Sequence, residues 1–291
     1  MDRFTLNLNG PFIDLPQKLS MGEPTHISRY WITGSFVSQL ANQLGIKNPK
    51  LLDVGGLNGL LADFGFSDYT ELDTQSITKP NYVQANALDM PFEDGSFDFV
   101  VSCDVFEHIA SKDRHQFLKE LHRVAKHFVV ICAPFDHPGV DESEKWANDF
   151  YKSLSGQDHP WLIEHIENKL PVEADVDQFL ADQQIDFITT RHLSLANWRL
   201  ILQLDLLRAV KGDNSVLQSH APLIYNQYLQ NECVKDFNPD GYRTFYISSK
   251  SNQLDLLPLK QDQVAPRSLS NASVDGLLEM ITVFCLMTDK T

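Results

Sequence analysis

The sequence predicts an α/β fold: a doubly wound, mostly parallel seven-stranded sheet with helical cap insertions. Three features carry that prediction. Short apolar runs alternate with amphipathic stretches, as strands joined by crossover helices do. The run Phe97 to Cys103 is almost wholly apolar, the signature of a strand covered on both faces. The run Leu51-Leu52-Asp53-Val54-Gly55-Gly56-Leu57-Asn58-Gly59-Leu60 ends in an acid and enters a glycine-rich turn, where a ligand can come close to the main chain.

The elements follow in order. Ile27, Tyr30, Trp31, Phe36, Leu40 and Leu44 recur at helical spacing, so an amphipathic helix is expected over Thr25 to Leu44, closing over the site. Lys50 to Asp53, Tyr69 to Asp73, Tyr82 to Gln84, Phe97 to Cys103 and Phe128 to Pro134 read as strands. Helices are expected at Leu57 to Phe64 and at Ser111 to Lys126, the second capped by Ser111. From His137 to Pro171 the pattern changes to two short, charged helical stretches rich in aromatics and histidine, read as an insertion over the carboxyl edge of the sheet. A helix at Val172 to Gln184 and a strand at Ile185 to Thr190 come next. A helical hairpin (Leu195 to Val210, Ser215 to Glu232) and a last strand (Tyr242 to Ser249) complete the sheet. Asn252 to Ser270 reads as a polar linker, and Ala272 to Met287 as a final helix that either packs back or makes a homodimer contact. The expected division is 1–46 N-terminal segment and capping helix, 47–136 cofactor-binding core, 137–171 acceptor cap, 172–250 completion of the core with the hairpin, and 251–291 linker and last helix.

Composition narrows the function. Lys and Arg number 24 against 39 Asp and Glu, a net charge of −15, which repels phosphate backbones and anionic headgroups and disfavours nucleic acid or membrane partners. Cys103, Cys132, Cys233 and Cys285 are dispersed without zinc spacing and read as reduced thiols of a cytoplasmic protein. No signal peptide is visible, and no apolar run reaches the roughly 20 residues of a membrane helix.

At the end of its strand, Asp53 would repel a pyrophosphate but could hold an ammonium group. About twenty residues on, Asp73 ends the second strand where a carboxylate accepts ribose hydroxyls; Glu71 is a rival two residues back on the same face. Gly55-Gly56-Leu57-Asn58-Gly59-Leu60 fits the dinucleotide pattern GxGxxG in neither register, which disfavours a nicotinamide enzyme.

Asn86-Ala87-Leu88-Asp89-Met90-Pro91-Phe92-Glu93-Asp94-Gly95-Ser96-Phe97-Asp98 follows the third strand, and Ser102-Cys103-Asp104-Val105-Phe106-Glu107-His108-Ile109 ends the fourth. With the glycine turn, these segments resemble the class I S-adenosylmethionine-dependent methyltransferases. The likeness is greatest to the small-molecule branch that reads LPF-x-D-x-SFD and then LEH, and it covers about Leu51 to Pro134. The resemblance implies a Rossmann-like methyltransferase fold with S-adenosylmethionine as cofactor. By it, Asp53, Gly55 and Gly59 line the methionine half, Asp73 holds the ribose, Asn86 takes the adenine amino group and Ala87 lies beside the ring. Cys103 and Asp104 fall near the methionine, and Arg29 from the N-terminal helix could reach its carboxylate. Leu57 stands where the family has its middle glycine, and Gly56 just before it restores room.

An oxygen acceptor needs a base, and His108 and His137, each just past a strand, are the candidates. Asp158-His159-Pro160-Trp161-Leu162 and Glu164-His165 more loosely resemble methyltransferase regions encoded with surface-glycan glycosyltransferases, implying a small or sugar-like hydroxyl acceptor. No metal site is expected from the scattered histidines. The rival function is a non-catalytic binding or scaffold protein that keeps the fold while Leu57 has spoiled catalysis.

Overall fold

The structure is a computed structural model that describes residues 2–212 and 215–258. Strand β1 (Arg3–Asn7) pairs in parallel with β9 (Gln253–Leu257) as a separate two-stranded sheet. The main sheet holds β2 (Leu51–Val54), β3 (Tyr69–Asp73), β4 (Tyr82–Gln84), β5 (Phe97–Cys103), β6 (Ala125–Pro134), β7 (Asp186–Ser194) and β8 (Gly241–Ser249). Their spatial order is β4-β3-β2-β5-β6-β8-β7, with β8 antiparallel to both neighbours and the other pairs parallel. This is the doubly wound seven-stranded sheet expected from the sequence. Because β8 runs against β6, its first residues, not its last, reach the edge where β2, β3 and β5 end.

Helix α1 (Pro24–Leu44) begins with proline at its first position and ends at Gly45, whose φ of 72° is the left-handed stop. Helix α2 spans only Leu60–Asp63, shorter than the expected Leu57 to Phe64, because Gly59 is left-handed at its start (φ 67°). Ser111 heads a 3₁₀ turn and caps nothing with its side chain; α3 (Arg114–Val124) follows, and Lys126 already belongs to β6. Helices α4 (Val140–Ser155) and α5 (Pro160–Asn168) form the expected insertion. Then come α6 (Glu173–Asp182) and the hairpin α7 (Leu195–Val210) and α8 (Ser215–Asn231).

Two apolar layers cover the sheet. On one side Phe36 and Leu40 of α1 pack with Phe99, Phe128 and Phe245, joined by residues of α7 and α8. On the other, Phe117 and Leu121 of α3 and Phe179 of α6 pack with Val100, Val129 and Tyr246. The two-stranded sheet departs from expectation, since Asn252 to Ser270 reads as linker yet Gln253–Leu257 is a strand. Phe4, Leu6 and Leu8 turn inward, and Gln43 and Gln39 of α1 accept from the main-chain N–H of Thr5 and Asn7, each at 2.9 Å. The expected helix at Ala272 to Met287 lies outside the described residues. Among the described residues no helix is long and apolar enough to cross a membrane.

Candidate active site

The glycine turn is built against two buried acids. Gly55 has φ 84°, and a Cβ there would stand 2.2 Å from Val105 Cγ2, so only glycine fits. A Cβ on Gly56 would lie 2.4 Å from Asp53 Oδ2, which puts the Asp53 carboxyl directly beneath the turn. The Tyr30 hydroxyl donates to Asp53 Oδ1 at 3.4 Å. Burial pushes the Asp53 carboxyl up to about 7, with Glu71 adding to the rise and the Tyr30 hydrogen bond opposing it. Glu71, the second acid, accepts from the Gly59 N–H at 2.6 Å and pairs with Lys79. Lys79 also donates to the Leu57 carbonyl at 2.6 Å, tying the β3–β4 loop to the turn.

At the end of β3, Asp73 Oδ1 accepts from the Gln75 N–H at 2.9 Å, and the Ala85 N–H donates to the Asp73 carbonyl at 3.0 Å. Asn86 is exposed just past β4, its Oδ1 accepting from the Leu88 N–H at 2.9 Å, and Ala87 is buried beside it. These residues share one edge with the turn.

Past β5, Asp104 takes left-handed φ of 53° and receives two arginines. Arg243 donates to Oδ1 at 2.8 Å through Nε and to Oδ2 at 2.6 Å through Nη2, and Arg29 Nη1 pairs with the same Oδ2. Burial alone would raise the Asp104 carboxyl, but the Arg243 and Arg29 charges outweigh it and hold it well below the usual range. Two guanidiniums on one carboxylate leave a net positive charge, and Arg29 Nε and Arg243 Nη1 are buried without hydrogen-bond partners. His26 Nδ1 lies 2.6 Å from Arg29 Nη2, and its Nε2 lies 3.0 Å from the Asn58 amide. Burial, then the Arg29 charge, push His26 down to about 4, so it bridges α1 to the turn as a neutral ring.

A cavity of about 400 Å³ runs from this clamp to the insertion. Gly55, Leu57 and Asn58 line one end with His26, Arg29, Tyr30 and Asp104. The other wall comes from Glu107 and His108, from His159, Trp161, Leu162 and His165 of the insertion, from Trp198 and Leu202 of α7, and from Tyr242 and Arg243 of β8. Trp198 stacks on Tyr242 with centroids 4.1 Å apart. Glu144 Oε1 accepts from the Tyr242 hydroxyl at 2.7 Å and lies 2.9 Å from His165 Nδ1, fixing both rings. His108 Nδ1 is 3.3 Å from Glu164 Oε2. Glu107, His108 and His165 present ligand atoms all within 4.8 Å of one another, a gathering that departs from the expectation of scattered histidines with no metal site.

Most expected residues sit at this edge, with three revisions. His137 is buried, with Nε2 2.8 Å from the Gly241 carbonyl, and joins the loop after β6 to β8; it is not among the residues lining the cavity. Cys103 turns its thiol inward, 3.4 Å from Thr33 Oγ1 under α1, so only its main chain stays near the edge. Arg29 is engaged by Asp104 rather than standing free. Sequence reasoning missed Lys79, Glu107, Glu144, Tyr242 and Arg243. The one signal for the last two was the turn Asn238-Pro239-Asp240-Gly241, which starts β8 at the carboxyl edge.

Residues 54–131 match a family described as a methyltransferase domain. An ajmaline N-methyltransferase of Rauvolfia serpentina is 42% identical over 69 residues, 23% of this chain and 23% of that relative, so the match spans less than a quarter of the relative's length. Among solved structures, a magnesium protoporphyrin IX methyltransferase of Synechocystis PCC 6803 with bound S-adenosylmethionine is 11% identical. The match covers 84% of this chain and 88% of that one at a TM-score of 0.43. The YcgJ protein of Bacillus subtilis is 14% identical, covering 69% and 91% respectively, at a TM-score of 0.37.

Proposed function

We propose that this chain, which matches a methyltransferase-domain family over residues 54–131, transfers a methyl group from S-adenosylmethionine to a small or sugar-like acceptor, at a hydroxyl. The observation that carries the reading is continuity: the glycine turn and the wall bearing His108, Trp161 and Trp198 line one cavity. A donor on the turn and an acceptor on the wall would therefore meet without crossing water.

The chain's residues fit the cofactor. Gly55 and Leu57 line the cavity, and the missing side chains of Gly55 and Gly56 let Val105 and the Asp53 carboxyl pack close against the turn. Asp53 would attract the ammonium group, and the surplus positive charge of the Arg29, Asp104 and Arg243 clamp, with its unpaired buried N–H groups, suits the carboxylate. Asp73 would take the ribose hydroxyls, with Asn86 and Ala87 beside the adenine. When bound, S-adenosylmethionine supplies an electrophilic methyl on a sulfonium sulfur. For a direct displacement the protein has mainly to align acceptor and methyl and to exclude water. Trp161, Leu162, Trp198 and Leu202 supply the apolar enclosure, and His108 stands at the acceptor wall.

Two measurements test this. Titration with S-adenosylmethionine, and with its demethylated product, should raise Tm in a saturable way. Radiolabelled methyl should then pass to a member of a panel of sugars, phenols and amines, the amines included because the matched relative is named for N-methylation. Absence of any thermal shift would favour the scaffold reading instead.

A further inference from the structure

We propose that Glu107, His108 and His165 form a binding site for a divalent transition-metal cation at the acceptor wall. The inference rests on the methyltransferase reading for its role in catalysis, and gives His108 a cation to hold in place of a proton to abstract.

The three ligand atoms lie within 4.8 Å of one another, on groups that all line the cavity. A cation about 2.1 Å from each nitrogen or oxygen needs them roughly 3 to 4 Å apart, a closure of side-chain tips with no change of fold. Two polar atoms of the cluster's side chains ask for a partner: Glu107 Oε2 and His165 Nε2 are buried on residues only 1% and 6% exposed, and neither has a hydrogen bond. Buried polar atoms are rarely left so. Around them stands the outer shell that metal-binding histidines use. Glu144 Oε1 lies 2.9 Å from His165 Nδ1 and Glu164 Oε2 lies 3.3 Å from His108 Nδ1, which leaves Nε2 of each ring for the cation. Each histidine is thus oriented by a carboxylate on its far nitrogen.

Two imidazoles and one carboxylate select a first-row cation such as Mn²⁺, Fe²⁺, Co²⁺ or Zn²⁺, and three protein ligands leave positions open toward the cavity. An acceptor with a hydroxyl, or two adjacent oxygens, would fill them. The acceptor oxygen would then form its bond to the methyl carbon as the carbon–sulfur bond breaks, with that electron pair remaining on sulfur. The hydroxyl proton would pass to solvent water.

The test uses the full chain, stripped with a chelator and titrated with Co²⁺ while its visible d–d absorption is followed, with calorimetry for stoichiometry. One equivalent should bind. Glu107→Gln and His165→Ala should each weaken binding by at least about tenfold, while His115→Ala, outside the cavity, should not. If His165→Ala fails to fold, Glu107→Gln and His108→Asn decide. No Co²⁺ binding, or binding unchanged in both folded variants, overturns the proposal. S-adenosylmethionine affinity measured on the same samples separates the two claims. Cofactor binding without cation sinks the cation site alone; cation binding without cofactor sinks the methyltransferase reading and leaves the cation site standing.

Discussion

The two halves of the site are built differently. The edge proposed for the nucleotide, from Asp53 through Asp73 to Asn86, comes from three neighbouring parallel strands within one continuous stretch of chain. Its polar groups are largely satisfied by adjacent main chain, as Asp73 is by Gln75 and Asn86 by Leu88. The wall proposed for the acceptor draws on the turn after β5, the insertion, α7 and the start of β8, and holds buried atoms with no partner. Local strand ends make a cradle that any sequence with the same punctuation would reproduce. Distant segments meeting make a pocket whose chemistry belongs to this chain.

Substitutions tell the two halves apart. The largest effect is expected at the arginine clamp, where the two halves meet. Arg243→Ala leaves the Asp104 carboxylate with Arg29 alone in a buried place, which should cost about 3 kcal/mol of stability by denaturant unfolding. A cost near zero would mean the clamp is solvated and the wall is not rigid. Next comes the turn, where Gly56→Ala drives a methyl toward Asp53 Oδ2 and should cost about 1–3 kcal/mol together with most cofactor affinity.

On the nucleotide edge Asp73→Ala should weaken S-adenosylmethionine by one to a few kcal/mol, on the order of a lost charged hydrogen bond. Unchanged affinity by calorimetry would transfer the ribose role to Glu71. Asp53 gives a pH signature. Its carboxyl is pushed up to about 7 in the folded chain, while an unfolded aspartate titrates near ~3.9. The folded state therefore binds the extra proton in that window, and the stability this group contributes falls as pH rises through about 7, by up to about 1.4 kcal/mol per pH unit. Asp53→Asn should flatten that slope in thermal melts. Cofactor affinity of the unsubstituted chain should move the other way, rising toward pH 7 as the ammonium group selects the ionised acid. The smallest effect is expected from Leu57→Gly, a change of a few-fold in cofactor affinity; tighter binding would show that the leucine narrows the cradle.

How far the sequence reached follows from the same contrast. Apolar runs and a glycine turn are local signals, so β3, β4 and β5 fall where expected, and Asp53, Asp73 and Asn86 stand at the ends of adjacent strands. The strand Gln253–Leu257 reads as linker in sequence because its partner, Arg3–Asn7, is nearly the whole described chain away, and neither is apolar enough to announce itself. His137 and His108 look alike in sequence, each just past a strand. Only the return of β8 distinguishes them, capturing His137 with the Gly241 carbonyl while His108 faces the cavity.

By itself, the order of residues determined the sheet, the open turn and the acids that flank it, since periodicity, glycine and strand-end charge act over a few positions. The tertiary structure decided that Arg29 and Arg243 share Asp104, and that Glu107, His108 and His165 converge. Such meetings depend on the antiparallel entry of β8 and on where the insertion folds back. Burial then gives the assembled charges their strength, because a carboxylate or imidazole removed from water must find its partner in the protein.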